Sequence, residues 1–386
     1  MEEKKTGKPI AKKGSSETLL AIFFIFFILF LLLLIVTLTV RSCTPIPEEE
    51  PPTVTDPESE SSTGDPDTPE PAVPVFTGGT VPAKPHTTSA SQTVSLDVCT
   101  KYVTLINAKT GEIVASLNHG VHFSPASMTK VMTLIVMCEK LTEKDMDVPL
   151  TMTDELYTMV RSGSFVGTEN YGIDVDDQYK IKDLLYGIGM ESASDCTMLI
   201  VDYLCESQEE FAELMNQKVQ ALGLENTKFD NPVGYESENN YTTANDMAVI
   251  MAYAMQSELI KDVLGKEIHT GKAAGYNKAG EFLPEFNFTF FNTFTGAHEE
   301  SRESAYEKHY KVDFSLSTAK LLAGKTGYWE YPNAEDSANP IKHHCLSIYL
   351  SSKSDKTEYV LIIGGGTQPG YRVMKDIKDL LDTYIK

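Results

Sequence analysis

The strongest feature of the hydropathy pattern is a run from Leu19 to Val40 made almost wholly of Leu, Ile, Phe and Val. As a helix with ~1.5 Å rise per residue it measures ~33 Å, enough to cross a bilayer. Lys4, Lys5, Lys8, Lys12 and Lys13 precede it and carboxylates follow it. The positive-inside rule then puts the N-terminus in the cytoplasm. A cleaved signal peptide has a shorter apolar core and a small-residue cleavage site, which Val40-Arg41-Ser42 does not provide. The expectation is a cytoplasmic basic tail over 1–17, an uncleaved transmembrane helix over 18–40, and an extracytoplasmic remainder.

After Arg41 the apolar pattern fades. Nine carboxylates lie between Glu48 and Glu70, no Lys or Arg occurs between Arg41 and Lys84, and eleven of the nineteen prolines fall between Pro45 and Pro85. Such a stretch has too few apolar groups to offset the entropy of ordering it. It predicts a disordered, semi-rigid linker over 41–95 and a single globular domain over 96–386.

Within that domain the pattern alternates between periods of about two and about 3.6 residues. Lys101–Asn107 and Glu112–Leu117 read as strands joined by the turn Ala108-Lys109-Thr110-Gly111. Val131–Cys138 reads as a buried helix, with Ser124 as its cap and Pro125 in its first turn. Tyr179–Gly189, Ser194–Leu204, Gln208–Leu222 and Thr243–Leu264 read as helices. Leu321–Tyr328, His344–Ser351 and Tyr359–Ile363 read as strands, and Val373–Lys386 as a closing helix. Strands at both ends with helices between them predict an α/β sheet closed by the two ends of the domain, with a helical insertion.

Composition narrows the partners. A formal charge of -22 argues against nucleic acid. The six cysteines show no C-x-x-C and no disulfide framework. Cys138 and Cys196 read as buried thiols, and pairings of Cys99 with Cys345 or Cys205 stay open. His343-His344-Cys345 sits in a strand pattern, where adjacent side chains face opposite ways, so it does not predict a metal site. No H-E-x-x-H and no Gly-rich phosphate loop occurs. No metal and no cofactor is expected.

The chemistry starts at Ser127-Met128-Thr129-Lys130. Residues three apart share a helical face, with Cβ atoms roughly 5–6 Å from each other, so Ser127 and Lys130 suit a nucleophile and its base. By itself that spacing is common. It gains weight from Ser192-Ala193-Ser194, from Asn231-Pro232-Val233-Gly234 with Tyr241–Met247, and from Lys325-Thr326-Gly327 at the end of an apolar strand. In this order the motifs resemble the serine penicillin-recognising enzymes, and more narrowly the D-alanyl-D-alanine carboxypeptidases, the low-molecular-mass penicillin-binding proteins.

The resemblance implies the β-lactamase/transpeptidase-like fold, an antiparallel sheet flanked by helices plus a helical subdomain. It implies an acyl-enzyme on Ser127, Lys130 as base and Ser192 as proton relay. Lys325 and Thr326 would bind the substrate's terminal carboxylate, with Gly327 allowing close approach. The backbone N–H groups of Ser127 and Tyr328 would form the oxyanion hole. The expected activity is removal of the terminal D-alanine from peptidoglycan stem pentapeptides, with β-lactams as covalent inhibitors. Ser194 departs from the family pattern, which carries Asn there. The shorter hydroxyl reaches fewer partners than an amide and puts activity level and substrate preference in question. Two alternatives stand beside this expectation. One is a class A-like β-lactamase, suggested by Glu236-x-x-x-Asn240. The other is a catalytically weakened cell-wall-binding relative, suggested by Ser194. Tyr328, Trp329 and Tyr331 read equally as cleft-lining or packing aromatics. The charged stretch from Thr295 to Ser315 reads as an inserted surface loop.

Overall fold

The computed structural model describes residues 73–294, 316–331, 340–367 and 370–386. The basic tail, the apolar run over 18–40, the linker as far as residue 72 and the charged stretch 295–315 lie outside the described residues. Among the described residues no helix is long and apolar enough to cross a membrane.

Two sheets and eight helices carry the described part. The strands are β1 (Gln92–Thr93), β2 (Tyr102–Asn107), β3 (Ile113–Leu117), β4 (Pro149–Thr151), β5 (Gln178–Lys180), β6 (Ile268–Tyr276), β7 (Phe282–Phe291), β8 (Ala319–Tyr331), β9 (Ile341–Ser352) and β10 (Glu358–Gly366). The helices are α1 (Thr129–Lys140), α2 (Asp154–Met159), α3 (Ile181–Met190), α4 (Ser194–Leu204), α5 (Gln208–Ala221), α6 (Ala244–Ala254), α7 (Glu258–Gly265) and α8 (Gly370–Tyr384). The main sheet has the order β1-β3-β2-β10-β9-β8, antiparallel except for the parallel pair β1–β3. The last strands of the chain thus lie between the first two and the edge strand β8, as expected of a sheet closed by both ends of the domain.

Strand β10 shows why its sequence is apolar without alternation. Val360 and Ile362 pack into one core with the helices, while Leu361 and Ile363 pack into another with Val373, Met374, Ile377, Leu380 and Leu381 of α8. Successive side chains point to opposite faces, and here both faces are covered. Helix α1 lies inside the helical layer, with all its residues from Thr129 to Cys138 buried.

Three expectations are corrected, and one element was not foreseen. Residues 73–95 are not linker. The N–H of Phe76 donates to the Cys138 carbonyl at 2.9 Å, the N–H of Val75 to that of Leu141 at 2.8 Å, and Phe76 is only 7% exposed. Gln92 and Thr93 pair with Ala115 and Ser116 of β3, and Val94 enters the second core. An aromatic anchor, isolated bridges at Pro74 and His86 and the β1 strand pair hold this segment, and its Pro-rich composition masks them. Ser124 does not cap the central helix. A 3-10 turn over Ala126–Met128 intervenes, and neither it nor α1 has a side-chain cap. The single helical stretch from Thr243 to Leu264 is two helices. Ser257 ends the run, and its hydroxyl accepts from the N–H of Ile260 at 3.3 Å as the cap of α7. Finally, the second sheet, β4-β5-β6-β7, has no counterpart in the sequence reading. Its longest pair, β6–β7, carries Gly271, Gly275 and Pro284, which blur the alternation, yet Ala273, Phe288 and Phe290 fill the helical core from it.

Candidate active site

The 3-10 turn lifts Ser127 out of its surroundings. Ala126 and Met128 are buried on either side of it, while Ser127 stays half-exposed. Ala126 has φ +46°, a strained value for a residue with a Cβ. The turn is braced from two sides. On one, Gly234 adopts φ +81°, and a Cβ there would lie 2.0 Å from the Ala126 carbonyl oxygen. On the other, a Cβ on Gly327 would meet Cys345 Sγ at 2.5 Å, the Pro125 carbonyl oxygen at 2.9 Å and the Met128 nitrogen at 3.3 Å. The last strand of the sheet therefore runs flush against the serine turn, and both contacts require glycine.

These braces yield a direct expectation. Gly234→Ala combines a disfavoured φ with a backbone overlap. The strain costs about 1–3 kcal/mol, and displacing the serine turn by ~1 Å costs on the order of a hundredfold in acylation. Thermal unfolding and the rate of covalent labelling by a penicillin measure the two effects. Wild-type values for both would show that the loop yields freely.

Lys130 is fully buried one helical turn on from Ser127. Its Nζ donates to Ser127 Oγ at 3.3 Å and to the Val233 carbonyl at 2.6 Å. Val233 is presented by a loop that Asn231 ties together, its Oδ1 accepting from the N–H groups of Gly234 at 2.6 Å and Tyr235 at 3.1 Å. Burial, and then the positive charge of Lys325, hold the Lys130 amine well below the ordinary lysine range.

Lys325 closes the other side. It is 1% exposed, and its Nζ donates to Ser192 Oγ at 2.9 Å and to the Thr326 carbonyl at 2.9 Å. Burial lowers its pKa to about 7. Ser192 follows α3 with φ +60°. Its observed partner is thus Lys325, on the carboxylate-binding side. Thr326 Oγ1 lies 2.9 Å from Thr293 Oγ1, and the Thr293 N–H donates to the Met190 carbonyl at 2.9 Å, which links the Ser192 segment to β8. Tyr328 follows Gly327 on β8 and is 41% exposed. The structure therefore gathers Ser127, Lys130, Ser192, Lys325, Thr326, Gly327 and Tyr328 around one cleft.

Ser194 is different. It starts α4 and is fully buried. Its N–H donates to the Glu169 carbonyl at 2.8 Å, but its Oγ has no hydrogen-bond partner. An amide in its place would have one more heavy-atom reach; the hydroxyl stops short.

Sequence reasoning passed over Asp195, the next residue. Its carboxylate is fully buried and accepts four backbone N–H groups. Oδ1 takes those of Tyr171 at 3.0 Å and Cys196 at 2.9 Å, and Oδ2 those of Gly172 at 2.8 Å and Ile173 at 3.1 Å. This clamp holds the 169–173 loop against Ser194. The exposed Glu169 on that loop acts electrostatically on both lysines, partly opposing the fall in their pKa values. The only sequence signal was an acid in the first turn of a helix.

Around the cleft, Cys345 is a buried thiol whose Sγ donates to the Pro125 carbonyl at 3.1 Å, and Cys138, Cys196 and Cys205 are also unbridged. Burial pushes the Cys345 thiol up to about 12, so it packs as an apolar group. Glu236 is engaged by β8, its Oε1 accepting from Tyr331 Oη at 2.9 Å. Trp329 packs against the core.

Known proteins share this fold and parts of this sequence. Solved structures with the same fold include a variant of a Streptomyces K15 DD-transpeptidase, which has a TM-score of 0.58 at 20% identity and covers 75% of this chain and 98% of its own. Another is penicillin binding protein 5 from Haemophilus influenzae, with a TM-score of 0.53 at 19% identity over 74% of this chain and 71% of its own. At those identities the likeness concerns the fold. By sequence, the chain is 32% identical over 165 residues to the D-alanyl-D-alanine carboxypeptidase DacF of Bacillus subtilis, 43% of this chain and 41% of that protein. It is 32% identical over 162 residues to DacA of Escherichia coli, 41% of this chain and 38% of that protein. The matched stretch thus spans about two fifths of these relatives' length. A family model described as D-alanyl-D-alanine carboxypeptidase matches residues 86–294, more than half of the chain. That span holds Ser127, Lys130 and Ser192 and stops just short of β8, whose Lys325-Thr326-Gly327 the fold brings against the same serine. On the family match, the serine–lysine pair and the shared fold together, this chain belongs to the D-alanyl-D-alanine carboxypeptidase family.

Proposed function

We propose that the protein is a membrane-anchored serine-type D-Ala-D-Ala carboxypeptidase that removes the terminal D-alanine from peptidoglycan stem pentapeptides and is acylated by penicillins. The observation that carries this is the fully buried Lys130 amine 3.3 Å from Ser127 Oγ, with a second buried cation across the cleft.

The steps follow from the geometry. A lysine whose proton is displaced by burial and by Lys325 has a lone pair for the Ser127 hydroxyl. Ser127 Oγ attacks the carbonyl of the penultimate D-alanine as its proton passes to Lys130 Nζ. The developing oxyanion is stabilised by the backbone N–H groups of Ser127 and Tyr328, adjacent where β8 crosses the serine turn. The substrate's terminal carboxylate lies against Lys325 and Thr326 and restores to Lys325 the partner that burial denies it. Ser192, bonded to Lys325, gives its hydroxyl proton to the leaving amine and regains one from protonated Lys130, which is thereby returned to its neutral form. Free D-alanine departs, and water then releases the shortened peptide from Ser127. In this proposal residues 18–40 anchor the chain in the membrane with the N-terminus in the cytoplasm, and the linker carries the domain to the wall. No metal or cofactor takes part.

The β-lactamase alternative would need a carboxylate aimed at Ser127; Glu236 instead has Oε1 bonded to Tyr331 Oη at 2.9 Å and Oε2 buried without a partner among the described residues. The test is incubation with a labelled penicillin and with a stem-pentapeptide mimic. Persistent label on Ser127 and release of D-alanine are expected, both lost in Ser127→Ala. Release that survives this substitution overturns the mechanism, and rapid loss of label with hydrolysed drug favours the β-lactamase.

A further inference from the structure

We infer that the hydrogen bond between Tyr331 and Glu236 is a latch that joins the two braces of the serine turn, and that both are positioning residues for acylation of Ser127. This rests on the carboxypeptidase reading above and deepens it with what sets the spacing of the oxyanion hole.

The two N–H groups of that hole belong to different parts of the fold. One is on Ser127 in the 3-10 turn, the other on Tyr328 in β8. Their separation is set by how closely the strand lies against the turn. On one flank the turn meets the loop over 231–234 at Gly234, and on the other it meets β8 at Gly327. The loop is fixed to α1. The Thr133 hydroxyl donates to the Pro232 carbonyl at 2.7 Å, and Lys130 Nζ to the Val233 carbonyl at 2.6 Å. The strand is held less fully. It ends the sheet order, with β9 on its inner edge and, among the described residues, no strand on its outer edge.

Tyr331 ties the strand to the loop. It shares a face of β8 with Lys325, Gly327 and Trp329, and Gly327 is where that face meets the serine turn. Its hydroxyl donates at 2.9 Å to Oε1 of Glu236, ninety-five positions earlier in the chain and just past Gly234. Its ring lies 5.7 Å from that of His343 on β9, so the sheet also steadies the side chain. Tyr331 stands three residues past Tyr328, or ~10 Å along the strand. Anchoring this end of β8 to the loop keeps the Tyr328 N–H in register with the turn.

Glu236 is engaged through one oxygen. Oε1 takes the Tyr331 hydroxyl, while Oε2 is buried with no partner among the described residues. A buried acceptor left unmatched is unfavourable. The useful part of this carboxylate is therefore its acceptor for Tyr331, which an amide oxygen also supplies.

The test uses the full-length protein in detergent. Rates are taken per Ser127 that a labelled penicillin titrates, so unfolded chains do not count. Varying the penicillin concentration separates the affinity of the first complex from the rate of acylation. Tyr331→Phe should slow acylation by about tenfold, part of the hundredfold that a ~1 Å misplacement costs, with affinity within about twofold of wild type. A peptidyl boronic acid, whose adduct with Ser127 places an oxygen in the oxyanion hole, should bind that variant about tenfold more weakly. Glu236→Ala should match both losses, and the double variant should lose no more than either single one, since the two share one bond. Glu236→Gln keeps the acceptor and should acylate within about twofold of wild type. Four results overturn the latch and leave the carboxypeptidase reading intact: wild-type acylation by Tyr331→Phe, a loss confined to affinity, a double variant that multiplies the single losses, or a Glu236→Gln as slow as Glu236→Ala. No label on wild-type Ser127, together with no D-alanine release from a stem-pentapeptide mimic, overturns that reading and the latch with it.

Discussion

Replacing Lys130 with methionine should slow acylation of Ser127 by a factor of about 10²–10⁴, the usual contribution of a positioned general base. Methionine keeps most of the apolar volume of the buried stem, so the loss isolates the amine. Arginine in the same place should fail equally, because a guanidinium stays protonated and accepts no proton. The fold should survive. The variant loses the bond to the Val233 carbonyl, at a cost of about 1–3 kcal/mol, but it also removes a cation that burial disfavours. Penicillin acylation rates beside thermal unfolding separate the two effects.

The same residue sets the acid side of the pH profile. Its pKa is lowered, so kcat/KM rises as pH increases through that depressed value, far under the ordinary lysine range. Lys325 sets the alkaline side. With its pKa lowered to about 7, the free enzyme loses the charge that attracts the carboxylate as pH rises through that value, and kcat/KM falls. A bound carboxylate stabilises the charged form, so the alkaline limb of kcat should lie higher than that of kcat/KM. A kcat/KM profile flat between about pH 6 and about pH 10 contradicts the Lys325 assignment, and one that rises only in the ordinary lysine range contradicts the Lys130 assignment.

Asp195→Ala should be the most destabilising single substitution near the cleft. It strips the acceptor from four backbone N–H groups around a fully buried site. Each bond to an ionised group contributes about 1.5–3 kcal/mol, and a buried donor left unmatched costs about 1–3 kcal/mol. Since the bonds share one carboxylate, the sum overstates the effect, and a loss of about 4–6 kcal/mol is expected. Asp195→Asn keeps the shape but turns an NH2 group towards two of the donors, so it should lose roughly half as much. Because the clamped loop presents the Glu169 carbonyl to Ser194, the Asn variant should also acylate more slowly at temperatures where it remains folded. Denaturant unfolding and acylation rates check this. A near-wild-type stability for Asp195→Ala would mean that the loop is held by other contacts.

How far the site was legible depends on the kind of signal each residue leaves. Ser127-x-x-Lys130 was readable because a helix makes three-residue spacing a spatial statement. Lys325-Thr326-Gly327 was readable because it follows an apolar strand run, although β8 continues past it to Tyr331. The braces behind them were not. Gly234 and Gly327 matter through what their absent Cβ atoms would strike, Ala126 and Pro125, more than ninety positions away in the chain. Asp195 looks like any acid at the start of a helix, until the loop over Tyr171–Ile173 folds onto it. The Phe76 anchor was invisible because composition averages over a segment, whereas packing depends on one side chain meeting the end of α1.

The sequence by itself determined the central helix, the strands at both ends of the domain, the order of the chemical motifs and the apolar run over 18–40 that stands apart from them. Those features are local or periodic, and periodicity survives in one dimension. The tertiary structure decided where the domain starts, that Thr243–Leu264 breaks at Ser257, that a second sheet supports the helices, and that Ser192 bonds Lys325. It also decided the state of the chemistry. Two lysines become a base and a carboxylate clamp only because folding removes both from water and sets their charges against each other, and desolvation is a property of what surrounds a residue rather than of its neighbours in the chain.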